Sequence, residues 1–231
     1  MEQMKQIKKG AVRVLPICLG VFPTGITFGI VAMQAGLSVL EATAMSFFVV
    51  AGASQFMAVN LLVQAASLPS IWITVFLVNL RHLIMSTYVM NALKEESFGK
   101  RFLASLLIVD ESFAVFSIAE KKDQNGAFMT GVGITLFLTW VGSTFLGCIA
   151  ASIMPPILSK SLSIVFYAAF IRILITSING RKSLWATAIF AMVCNQVGQL
   201  FLPQGVSIMI AMLAGAVFGT YLTEKEDENH A

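Results

Sequence analysis

The charges of this 231-residue chain are gathered into short islands, and the apolar stretches between them have the length of a bilayer crossing. Basic residues fall at Lys5, Lys8, Lys9 and Arg13, at Lys94, Lys100 and Arg101, at Lys121 and Lys122, and at Lys160, Arg181, Lys182 and Lys225. Only Arg81 and Arg172 stand within apolar sequence. A crossing helix needs about 20 mostly apolar residues, so this spacing predicts an all-α, polytopic transmembrane helical bundle. Composition excludes the alternatives. Charged residues make up 12% of the chain and apolar ones 57% without Gly, against about 25% charged in soluble domains. A chain this apolar does not stay solvated and disordered, and a formal charge of +3 without a basic stripe argues against nucleic acid as a partner. The lipid bilayer is the partner that composition demands.

About eight helices are expected, near residues 11–35, 39–65, 69–91, 102–120, 128–153, 162–178, 184–202 and 205–222, divided by Gly, Ser and Pro clusters or by charge. Residues 1–231 then form one integral membrane domain, with 1–10 as a cytoplasmic N-terminus, 11–222 as the bundle and 223–231 as an acidic tail. Seven crossings result if one early segment is re-entrant. Either count leaves more basic residues on the side of the N-terminus, which the positive-inside rule assigns to the cytoplasm. The first apolar run lacks a small-x-small cleavage site and carries Pro16 and Pro23, so it reads as a retained helix and not a signal peptide. The last two segments are joined so tightly that they must form an antiparallel hairpin. Gly25 with Gly29, and Ala211 with Gly215 and Gly219, recur at four-residue spacing, which lets helices approach closely, within the chain or against a partner.

Two early segments are interrupted near their middles, by Gly20, Pro23, Thr24 and Gly25 and by Gly52, Ala53, Ser54 and Gln55. Both are expected to be discontinuous helices. Unwound backbone at that depth survives only where protein buries it or where it lines a wet cavity, and transporters hold ions and charged substrate groups there. Kinked packing sites are the alternative. Segment three carries Asn79, Arg81 and His82 at its centre, and segment four carries Asp110 and Glu111. An ionisable group in a bilayer costs at least about 2.5 kcal/mol and is usually paired. Arg81 is therefore expected to meet Asp110 or Glu111, either as a structural pair or as part of a pathway. Arg172 is the remaining buried charge, unless it snorkels. Asn195 with Gln199 would line a pathway or bridge helices.

Catalytic apparatus is missing from the sequence. Two histidines, three scattered cysteines and no GxSxG, HExxH or phosphate-loop pattern give neither a nucleophile nor a metal site, so no enzyme activity and no cofactor is expected. Uphill transport would draw on an ion or proton gradient or on an exchange partner.

The strings Ala51-Gly52-Ala53-Ser54-Gln55-Phe56, Leu77-Val78-Asn79-Leu80-Arg81-His82 and Asp110-Glu111-Ser112-Phe113-Ala114, in that order and spacing, closely resemble the AzlC family. Supporting matches are the segment from Pro16 to Gly29, the turn at Gly36 leading to Glu41, and the stretch from Trp140 to Gly147. Arg172 departs from the more apolar segment expected there. The resemblance implies the large subunit of a branched-chain amino acid exporter in a bacterial inner membrane, working with a small AzlD-type membrane subunit on small hydrophobic amino acids. A compatible pathway joins Thr24, Gly25, Ser54 and Gln55 with Asn79, Arg81, His82, Asp110 and Glu111, and Phe28, Phe56 and Phe113 are candidate apolar walls. A passive channel or permease for another small solute, and a structural subunit of a heteromeric complex, are the competing readings.

Overall fold

A computed structural model describes residues 2–153, 182–202 and 204–228, with Ile171 and Ile175. The expected helix at 162–178, the turn at 155–156 and Arg172 lie outside the described residues. The described chain is all-α: α1 (Glu2–Gln34), α2 (Val39–Phe48), α3 (Gly52–Val63), α4 (Leu68–Asn79), α5 (Arg81–Ala92), α6 (Phe98–Leu106), α7 (Asp110–Ser117), α8 (Gly126–Ile153), α9 (Lys182–Gly198) and α10 (Gln204–Glu228). Three stretches are long and apolar enough to cross a membrane, namely α1, the run Leu68–Ala92 formed by α4 and α5, and α8. The chain divides into a unit of Met1–Val59 and Val78–Phe166 and a second of Asn60–Leu77 and Tyr167–Ala231.

The first unit is organised on α1 and α8. A Cβ on Gly10 would strike the Phe128 carbonyl, one on Gly29 the Thr144 carbonyl, and one on Gly147 the Ile26 carbonyl. Both residue numbers rise together along this seam, so the two helices are parallel. Without a hydrophobic force between helices in lipid, close backbone approach through small residues supplies the van der Waals contact that holds them. The ridge of Gly25 and Gly29 is thus used inside the chain.

Contrary to expectation, α1 is not broken at Pro23. Pro16, Gly20 and Pro23 lie on the exposed side of the helix, away from the α8 seam. Thr24 and Thr27 donate to the carbonyls of Gly20 and Pro23 at 3.1 and 2.9 Å, a local adjustment of the kind that lets membrane helices tolerate proline.

The second expected segment is interrupted at residues 49–51, and there the chain reverses. Gln55 Nε2 donates to Ser46 Oγ at 3.0 Å across the break. Two short helices continuing in one direction would hold these residues at least about 14 Å apart at 1.5 Å per helical residue, so α2 and α3 form a hairpin. Ser38 caps its entry, with Glu41 accepting from the Ser38 N–H at 2.8 Å in a capping box.

The fourth expected segment is a hairpin as well, which the sequence reading did not anticipate. At its base Glu96 Oε1 accepts from the Gly126 N–H at 3.1 Å. A Cβ on Gly133 would press on Leu107, so α6 runs beside the first two turns of α8 up to its own end. Gln124, just before α8, then donates to the carbonyls of Phe116 and Ser117 at 3.2 and 3.3 Å. A continuous helix through 98–117 would carry these carbonyls far from α8's start. Instead α7 comes back to it.

The two hairpins therefore enter from opposite ends of α8. The α5–α6 loop, the α7–α8 loop and the N-terminus share one end, where Lys9 Nζ meets Asp123 at 2.7 Å. In the second unit α9 and α10 are antiparallel, as expected: a Cβ on Gly219 would meet Thr187 and one on Gly215 would meet Ala191. Ser207 Oγ donates to the Asn195 carbonyl at 2.7 Å, so Asn195 bridges helices.

Replacing Gly29 or Gly147 by Leu should cost about 1–3 kcal/mol by overpacking, read as a lowered unfolding temperature in detergent, whereas Gly20→Leu, which meets nothing, should leave it in place. The Lys9 ammonium holds the buried Asp123 carboxyl below its ordinary value. A carboxyl depressed in the folded chain stabilises it above the ordinary aspartate range, and that contribution disappears as pH falls through the folded value. The unfolding temperature of Asp123→Asn should accordingly lie below that of the unaltered chain at neutral pH, with the gap closing on acidification.

Candidate functional site

Both hairpin turns sit on one stripe of α8. Leu107 meets Gly133 and Gly52 meets the Trp140 ring; seven residues are two turns, so these contacts share a face and lie about 10 Å apart along the axis. From its turn α3 runs toward the C-terminal end of α8, and α7 runs toward the N-terminal end. The N-termini of two half-length helices thus face each other near the middle of the spanning helices. Each presents first-turn amides that have no partner within the helix, and the positive end of its dipole.

The upper turn is held by a closed polar network. Trp140 Nε1–H donates to Gln55 Oε1 at 2.8 Å, Gln55 Nε2 donates to Ser46, and Ser46 and Thr144 hydroxyls are 2.9 Å apart. Ser46, Gln55 and Thr144 are completely buried. Phe28 stacks on Trp140 at 6.0 Å and meets Phe56 edge-on at 5.2 Å, enclosing the network in aromatic surface. Both capacities of the Gln55 amide are thereby occupied, which makes it a clamp for the turn. Gly25 lies against Ser143 and Trp140 on the α8 seam. Thr24 sits half-buried on α1 with its hydroxyl on its own helix. Ser54 Oγ donates to the Ala51 carbonyl at 2.9 Å and ties the first turn of α3 to its cap.

The lower turn carries the charge. Arg81 Nη2 lies 2.9 Å from Asp110 Oδ2, and both side chains are close to half-exposed, at 40% and 47%. The expected ion pair between the third and fourth segments is present, and Asp110 is the partner. Glu111 is half-buried beside it on the same first turn of α7. Acidic residues are favoured there by the helix dipole. Ser112 Oγ accepts from the Val109 N–H at 2.9 Å and reaches the Val109 and Leu107 carbonyls at 3.0 and 2.7 Å. His82 Nδ1 is 3.1 Å from the Asn79 carbonyl. Among the described residues, Asn79 Oδ1 and Arg81 Nε are buried without a protein partner. Phe113 meets Tyr88 edge-on at 5.5 Å on the flank of the acids.

Sequence reasoning missed Trp140, Ser46, Thr144 and Ser112 as parts of this site. The small hydroxyls carry no spacing signal of their own, and Trp140 reads as an apolar residue until its indole N–H finds Gln55.

Two half-length helices whose N-termini face each other along α8, one of them beside an ion pair, in a chain of apolar helices are the architecture of a membrane transport protein. The family model described as AzlC protein matches residues 16–154, and the chain belongs to the AzlC family. It is 34% identical to an uncharacterized membrane protein of Archaeoglobus fulgidus over 75% of this chain and 77% of that one. It is 28% identical to the inner membrane protein YgaZ of Escherichia coli, over 89% and 84%, and 30% identical to the branched-chain amino acid transport protein AzlC of Bacillus subtilis, over 70% and 63%. No solved structure matches.

Gln55→Ala should strand the Trp140 N–H in a buried, apolar setting at a cost of about 1–3 kcal/mol. Trp140→Phe keeps most of the ring contacts and should cost less than Trp140→Ala, as measured by thermal unfolding in detergent.

Proposed function

We propose that this chain is a secondary transporter subunit that exports branched-chain or similar hydrophobic amino acids, driven by an ion or proton gradient. The observation that carries the reading is the pair of opposed half-helix N-termini, one bare and one acidic. The first turn of α3 offers Gly52, Ala53 and Ser54 amides with no charged side chain, which suits a carboxylate. The first turn of α7 offers Asp110 and Glu111, which suits an ammonium or a proton. A zwitterionic amino acid needs one of each. Asn79, Arg81 and His82 line the acidic side, and Arg81 holds Asp110 until the ammonium competes for it. Phe113 with Tyr88 supplies apolar surface beside the acids, while Phe28, Phe56, Gln55 and Gly25 shape the site from behind. The name of the Bacillus subtilis relative supports branched-chain substrates.

Orientation follows from charge. Lys5, Lys8, Lys9, Arg13, Lys94, Lys100, Arg101, Lys121 and Lys122 all belong to the end of the first unit where α1 and α8 begin. By the positive-inside rule that end is cytoplasmic, in the bacterial inner membrane. A small AzlD-type membrane subunit is the expected partner.

The test is counterflow of radiolabelled leucine, isoleucine and valine in proteoliposomes, with and without the small subunit. Asp110→Asn and Glu111→Gln should each abolish gradient-driven flux with membrane insertion intact. Unchanged flux in both variants removes the acids from the mechanism.

A further inference from the structure

We infer that the first unit contains two copies of one motif inserted in opposite orientations, and that the two hairpins act as alternate gates on the site between their turns. Each copy is a helix followed by a half-length hairpin: α1 with α2 and α3, then α5, the second half of the run Leu68–Ala92, with α6 and α7. The correspondence is carried by matched features that follow one another in the same order. Thr27 and Thr87 each donate to the carbonyl four residues back, at 2.9 and 2.8 Å. Their neighbours Phe28 and Tyr88 each meet an aromatic ring on the second arm of their own hairpin, edge-on at 5.2 and 5.5 Å, and those rings belong to Phe56 and Phe113. Ser38 and Ser97 each occupy the N-cap position of the first arm in extended backbone, at φ −72° and −62°, and Ser38 alone of the two makes the side-chain capping bond. Ser54 and Ser112 each reach the carbonyl three residues back at the turn, at 2.9 and 3.0 Å. From 27 and 87 to 56 and 113 the separation drifts only from 60 to 57 residues.

A helical threonine bonding its own backbone is commonplace, and so is a serine cap. Their occurrence in one order, with a separation that drifts by only three residues and together with matched ring pairs, is what a duplicated fold requires. The copies are inverted because α1 reaches its hairpin where α8 ends, beside Cys148, whereas α5 reaches its hairpin where α8 begins, beside Gly126. Inverted repeats with interrupted helices at their interface underlie alternating access in many transporters.

The copies differ in how they are locked. The α2–α3 turn is sealed by a fully buried network, whereas the Arg81–Asp110 pair at the α6–α7 turn is close to half-exposed. We assign the structure on that difference to the form in which the α2–α3 gate is shut and the α6–α7 gate is the looser one.

The first test is topological. Glu95→Cys, Lys121→Cys and Lys5→Cys, each in a chain whose Cys194 is replaced by Ala, should all react with a membrane-impermeant methanethiosulfonate from one side. Reaction of Glu95→Cys and Lys121→Cys from opposite sides would overturn the repeat. The second test places a reporter at Ala53→Cys. It should label from the side of the N-terminus, and adding Gln55→Ala should produce labelling from the other side together with a loss on the first. Thr144→Val, which cuts only the Ser46–Thr144 bond, should shift it the same way and serves if the Gln55 variant does not accumulate. A gain on the far side with no loss on the near side would show a leak and would overturn the alternate gates. Neither measurement uses a substrate, so its failure is distinct from a failure of the amino-acid reading.

Discussion

The close, parallel seam between α1 and α8 is the constraint on which the rest of the first unit depends. Water provides no drive for one apolar helix to find another inside a bilayer, so contact must come from backbones that approach closely. Gly10, Gly25 and Gly29 on one helix and Gly131 and Gly147 on the other have their missing side chains filled by the partner's atoms. Two parallel spanning helices require the intervening chain to begin and end at opposite faces, which takes an odd number of full crossings. The run Leu68–Ala92 is long and apolar enough to be one. The hairpins are then free to be half-length.

A half-length hairpin is costly in lipid, because its turn exposes backbone groups that hydrocarbon cannot satisfy. The serines at the two turns and the Gln55 clamp answer that cost locally. The choice of Gly52 at the upper turn follows from the same geometry, since a side chain there would enter the Trp140 ring. Tying down the turns also sets the two helix N-termini opposite each other. The Gln55 amide, bonded to Trp140 and Ser46, takes part in that local tie.

The sequence made the all-α membrane architecture, the break near Gly52, the α9–α10 hairpin and the Arg81–Asp110 pair legible, each through a strong local signal: charge spacing, weak helix formers, a short connection, and ionisable residues in apolar sequence. It misled at Pro23, where a proline on the face away from the seam sits within a helix without ending it. The second hairpin was hidden for a different reason. Leu107, Ile108 and Val109 are as apolar as any spanning helix, and hydropathy does not register a reversal of direction. The signal that was present is the pair Asp110 and Glu111 following two β-branched residues, the composition of a helix start. Read as charges seeking a partner, they concealed their second role as the first turn of a new helix.

The two copies of the motif have diverged at the positions nearest each other. Where α3 begins with Gly52 and Ala53, α7 begins with Asp110 and Glu111, and where α1 has Val21 at the matching offset, α5 has Arg81. A symmetric charged pair would have placed two guanidinium–carboxylate couples within about 10 Å along α8, and the burial of four ionised groups is expensive even when they are paired. Charging one copy and leaving the other with bare amides keeps that expense to a single pair. It also gives the space between the turns a polarity, acidic on one side and electropositive on the other. That polarity is the feature on which the proposed reading of a zwitterionic solute rests, with one end of the solute suited to each turn.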